Sequence, residues 1–162
     1  MSDMDLGKVS QSKYYEFSSG AAEGTIGFGK AVVKGTNPET QFTAYPGDSD
    51  AVSVSGFAAF TLSGNIDDLE FVDQQPMRVL RSGVVAVKVS ANAGTSPVAG
   101  DKVAINPDGD VFTAAEANSD SGTGGTYAAI LKNSEFVEGA DAEDTVLIEV
   151  DFPTEVEFVQ QA

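Results

Sequence analysis

Cysteine, histidine and tryptophan are all absent from this 162-residue chain. Without cysteine there can be no disulfide, no thiol nucleophile and no cysteine-ligated zinc or iron–sulfur centre. Without histidine the commonest general base, the commonest transition-metal ligand and every Ser-His-Asp triad are lost. Positive charge is scarce as well: nine Lys and Arg stand against 25 Asp and Glu, a formal net charge of −16. Phosphate recognition needs clustered bases, so nucleic acid is not an expected partner, and an anionic membrane surface is disfavoured for the same reason. No apolar run approaches the roughly 20 residues of a membrane helix. The opening "MSDMDLGKVSQSK" lacks the apolar core of a signal peptide. A soluble, non-enzymatic protein made in a cytoplasm is the expectation.

What is present is alternation. Val85, Val87 and Val89 alternate with Ala86, Lys88 and Ser90, and Val146, Ile148, Val150 and Phe152 alternate with Leu147, Glu149 and Asp151. Val52 and Val54 alternate with Ser53 and Ser55. A period of two with one polar face means half-buried strands. Helical periodicity is weak throughout. Between the strands lie the turn clusters "KGTNPET", "YPGDSD", "NAGTSPVAGD", "NPDGD" and "NSDSGTGG". Short strands punctuated every ten or so residues read as an all-β barrel or sandwich.

An internal repeat refines this expectation. At a shift of 70, residues 42–60 fall on residues 112–130 without a gap. Phe42, Thr43 and Ala44 match Phe112, Thr113 and Ala114, Ser49 and Asp50 match Ser119 and Asp120, and Ala58 and Ala59 match Ala128 and Ala129. Coincidence in a chain poor in residue types is the alternative. The repeat predicts two small related antiparallel β modules, residues 14–81 and 83–152. A polar, extended N-terminal arm (1–13) precedes them and a short tail (153–162) follows. Pro153 cannot donate to a ladder, so a central strand stops there, although 155–158 could still form a brief edge strand.

The candidate chemical motifs mostly reduce to turns. "NPDGD" (106–110) spaces Asn106, Asp108 and Asp110 like a fragment of a calcium loop. An EF-hand would need a bidentate Glu at its twelfth position, where Ala117 stands. Asp-Gly between two apolar segments is a favoured hairpin turn. The acids of "PGDSD" and "NIDDLE" read as solvated loop charge, and "GTIGFGKA" is neither a P-loop nor a dinucleotide fingerprint. No catalytic, cofactor-binding or metal-binding residue is singled out. In "KYYEF", adjacent tyrosines on a strand point to opposite faces, so one faces away from its own module. Tyr14, Tyr15 and Phe17 are therefore the candidate assembly residues, since Tyr is favoured at interfaces.

The second half reads "SGVVAVKVSANAGTSPVAGDKVAINPDGDVFTAA", then "GGTYAAILKNSEF", then "DTVLIEVDF", and the first half follows the same plan with "GFGKAVV", "QFTA", "SGFAAFTL" and "FVD". In strand order and small-residue pattern this resembles the structural cement, or head-decoration, proteins of tailed bacteriophages. The resemblance implies a β-rich virion protein without catalytic residues or cofactors. It would lie on the outer surface of the capsid and bridge neighbouring subunits of the major capsid protein, as a homo-oligomer, a trimer rather than a dimer. A virion or cell-surface β-sandwich module that binds a receptor or glycan is the alternative, and it would require a groove with exposed aromatics.

Overall fold

The computed structural model describes residues 2–10, 15–62 and 64–162. A 3-10 turn, Asp3–Asp5, opens the chain. Seven strands follow: β1 (Glu16–Ala22), β2 (Ile26–Gly27), β3 (Ala31–Lys34), β4 (Gln41–Ala44), β5 (Val54–Ala59), β6 (Glu70–Phe71) and β7 (Pro76–Lys88). Then come β8 (Lys102–Ile105), β9 (Val111–Thr113), a one-and-a-half-turn helix α1 (Ala114–Ser119), β10 (Tyr127–Phe136), β11 (Thr145–Asp151) and β12 (Val156–Gln160). The fold is all-β, as the alternation predicts.

The first half closes into a five-stranded barrel in the order β1-β4-β3-β5-β7, and β7 pairs back antiparallel to β1. The β1–β4 pairing is parallel and the other four are antiparallel. The second half repeats this order. The C-terminal part of β7 pairs with β11, β11 with β10, β10 with β8 and β8 with β9, all antiparallel. Val89, just beyond β7, bridges Val111 of β9 in parallel. Register is shared where the sequence repeat is strongest: Val33 pairs with Thr43 and Val103 with Thr113, while Lys34 pairs with Phe42 and Ala104 with Phe112. No loop lies at the expected division near Ser82, because β7 runs straight through it as the last strand of one circuit and the first of the next.

Adjacent strand residues point to opposite faces, and here both faces are covered. Val33, Phe57, Leu80, Val103, Ile105, Leu131 and Ile148 fill the interior. Outside the first circuit, Val32, Phe42 and Val79 pack with Ile26, Phe28, Phe71 and Leu6. The β2–β6 pair supplies Ile26 and Phe71 to that layer. Outside the second circuit, Ala104, Phe112 and Ile130 pack under Ala117 of α1. This explains why "VVAV" is buried at Ala86 as well as at its valines: strands sandwiched on both sides read as continuous apolar runs.

Three features go beyond the expectation. First, α1 has no periodic signal, being only six residues long. It forms because Thr113 Oγ1 caps it by accepting from Glu116 N at 3.1 Å. The buried Glu116 carboxylate in turn accepts from Gly94 N at 2.6 Å and Thr95 N at 3.0 Å, tying the helix to the loop before β8. Second, residues 156–160 of the expected tail form β12, which pairs along Tyr127–Leu131 of β10. Third, the arm is not free over residues 2–10. Leu6 is buried in the outer layer of the first circuit, and Val9 bridges Val85 antiparallel. Gly7 N donates to Ala86 O at 2.7 Å, Ala86 N to Lys8 O at 3.0 Å and Phe60 N to Gly7 O at 2.8 Å. The arm thus satisfies backbone groups of β7 that β9 does not reach. Gly7 has φ +75, and a Cβ there would lie 2.8 Å from Phe60 N and 2.9 Å from Ala58 O, so the crossing requires glycine.

Candidate assembly interface

Arg78 projects from β7 into solvent beside β1. Its guanidinium carbon lies 4.3 Å from the centre of the half-buried Phe17 ring. Tyr15 packs edge-on against that ring, with centroids 5.4 Å apart and planes at 61°. Tyr15 is 41% exposed and is the one exposed aromatic among the described residues. Lys8 and Val9 of the arm and Phe60 after β5 complete a groove of about 340 Å³ with these three side chains. Lys8 Nζ lies 5.8 Å from the Phe60 ring centre and 3.1 Å from Asp5 Oδ1. The groove exists because the arm, crossing at Gly7, brings its cation alongside β1.

Of the three sequence-predicted residues, the structure brings Tyr15 and Phe17 together at this groove, and Tyr14 lies outside the described residues. Sequence reading misses Lys8, Phe60 and Arg78, which come from three distant segments. One signal for Arg78 was available. The chain has only two arginines, Arg78 and Arg81. Neither makes an ion pair with a described carboxylate, although acids outnumber bases almost three to one. An arginine stacked on a ring with its fork free is a common anchor of protein interfaces.

Charge is distributed unevenly over the molecule. Residues 1–81 carry eleven acids and six bases, and residues 82–162 carry fourteen acids and three bases. Glu135 and Glu149 stand directly opposite each other on β10 and β11, with Lys102 Nζ 3.8 Å from Glu135. The loop from β10 to β11 holds Glu138, Asp141, Glu143 and Asp144 and no base. At its base sit two exposed valines, Val137 at 44% and Val98 at 58%, and Ala140 N of the loop donates to Pro97 O at 3.1 Å.

"NPDGD" is the β8–β9 hairpin, in which Asn106 N donates to Asp110 O and Gly109 N to Asn106 O, both at 2.8 Å. One of its acids, Asp110, joins the two circuits. Asp110 is buried against Lys30 Nζ at 2.8 Å, and Asp108 accepts from Ser90 Oγ at 2.6 Å. Burial pushes the Asp110 carboxyl above the usual carboxylate range, an effect that Lys30 partly offsets. No group of three or more Asp and Glu is placed to hold a metal among the described residues.

The scaffold and its exposed chemistry define an all-β protein with a cation–aromatic groove on its surface. Residues 5–151 match the family described as Structural cement protein (E217 gp24/Pam3 gp6). The chain belongs to that family. Five solved chains are similar in fold. One comes from the structure described as "The capsid of Myoviridae Phage XM1", with 19% identity, a TM-score of 0.66, and coverage of 91% of this chain and 89% of that one. A search of curated proteins found no match.

Proposed function

We propose that this protein is a capsid cement. It binds the outer surface of the assembled phage head as a homo-oligomer and bridges neighbouring major capsid subunits, without catalysis. The observation that carries the reading is the cement-family match over residues 5–151. The fold shared with a chain of a phage capsid structure is consistent with it. We further propose that the chain is a duplicated module fused through β7. The matching strand order and the shared Val33–Thr43 and Val103–Thr113 registers support this.

Cementing requires area and rigidity. Two circuits sharing one 13-residue strand cannot hinge as separate domains would. A rigid body that touches two subunits resists their separation, and many copies on one shell turn modest affinities into a stable coat. The glycan-binding alternative needs several exposed rings. The groove presents one exposed ring, with an arginine on its neighbour, which suits a protein contact better.

Co-sedimentation with expanded, empty capsids tests the reading. The protein is expected to pellet with capsids to a fixed stoichiometry and to raise their disruption temperature. Protein that stays in the supernatant at concentrations of about 10 μM, where a micromolar contact would be well populated, would overturn it.

A further inference from the structure

We propose that the Arg78 groove is the docking site for the acidic β10–β11 loop (138–144) of a second copy, making a head-to-tail contact between subunits. This deepens the homo-oligomeric part of the cement reading and rests on it. Both surfaces are present on one molecule. The groove offers Arg78 stacked on Phe17 and, beside Phe60, Lys8, which also holds Asp5 at 3.1 Å, with Tyr15 exposed at its rim. The loop offers four carboxylates and no base, flanked by exposed Val137 and Val98. A cation–aromatic surface takes an anionic, apolar-edged one, since a guanidinium that remains stacked on a ring can still form a bidentate pair with a carboxylate.

A loop cannot enter the groove of its own chain. It returns into β11 at Thr145, opposite Lys88, ten residues along β7 from Arg78. At ~3.3 Å per residue that separation is on the order of 30 Å. The contact is therefore between copies and uses two different patches, so it gives a dimer when the two patches are exchanged reciprocally, and otherwise a ring where the rotation between copies closes or an open filament where it does not. Glu143 is the strongest anchor candidate. It is exposed, with φ +67, and its side chain makes no hydrogen bond or ion pair with a described residue. The carboxylates of Glu138, Asp141 and Asp144, by contrast, accept bonds from Leu147 N, Ser96 Oγ and Asp141 N.

Sedimentation velocity over a concentration series, without capsids, tests the inference. Wild type is expected to self-associate. Arg78→Glu and Glu143→Lys should each weaken association at least about tenfold, and the two together should restore it, because each reversed charge then meets its complement on the next copy. Tyr15→Ala should weaken it with every charge intact, and serves as the second variant if a reversal perturbs folding by circular dichroism. Wild type remaining monomeric at about 100 μM, or Arg78→Glu associating as wild type does, would overturn the proposal. Weakening by Arg78→Glu without restoration in the double variant would also overturn it, by assigning the groove to a different acidic surface of the second copy. Failure of the cement reading looks different: wild type would not pellet with capsids, whatever its mass.

Discussion

Lys30 Nζ lies 2.8 Å from Asp110 Oδ1, and the pair joins the start of β3 in the first circuit to the β8–β9 turn of the second. Lys30 Nζ also donates to Asp108 O at 3.3 Å, and Ala31 N donates to Gly109 O at 3.1 Å. Tyr45 Oη donates to Tyr127 O at 2.6 Å, and Tyr127 N donates to Gly47 O at 2.8 Å. The two halves are thus held by a polar seam as well as by their common strand.

Removing one partner of that pair strands the other. Lys30→Met should destabilise by about 1–3 kcal/mol, less than a fully buried pair because Lys30 is about a third exposed. Urea denaturation measures this. The double variant Lys30→Met/Asp110→Asn should recover part of the loss, since no unpaired charge remains.

The pH dependence of the same site has a definite sign. The Asp110 carboxyl is held above its unfolded value by burial, with Lys30 opposing. Its favourable contribution is therefore fully present below the unfolded value near 3.8 and is lost as pH rises through the raised folded value. Between pH 7 and pH 4, thermal melts should show wild type gaining stability relative to Asp110→Asn. A difference that is flat with pH, or that moves the other way, would contradict this.

Glu116 is a structural carboxylate. Glu116→Ala should leave Gly94 N and Thr95 N without their partner and cost about 2–3 kcal/mol. Hydrogen exchange should quicken at those two amides and in α1, while β1–β5 stays protected.

Gly7→Ala should detach the arm without unfolding the barrel. The added Cβ meets backbone atoms at 2.8 and 2.9 Å, at a φ of +75. The expected penalty is about 1 kcal/mol or more, read as faster exchange at Ala86 N and faster proteolysis near residues 8–10.

Much of the fold was legible in the sequence because alternation marks strands, even where, as at Ala86 and Ser90, the second face is covered too. Val85, Val87, Val146, Ile148 and Val150 are all buried, as their spacing predicts. Tyr15 could be picked out as an outward-facing aromatic from its neighbour and its type. The groove could not be, because Lys8, Phe60 and Arg78 are separated by up to 70 positions and meet only through the arm's crossing at Gly7. The role of "NPDGD" was half legible: Asp-Gly marks a hairpin, but no local signal pairs Asp110 with Lys30, 80 positions away.

The sequence by itself determined the all-β class, the turn positions, the exclusion of histidine and cysteine chemistry, and the strong negative charge. These follow from residue type and from correlations shorter than about ten residues. The tertiary structure alone decided that β7 serves both halves, that the arm lies along its own chain, and that an arginine stacks on Phe17 beside an exposed Tyr15. Those depend on long-range contacts between segments whose local patterns are compatible with many arrangements, and backbone satisfaction and close packing select one of them.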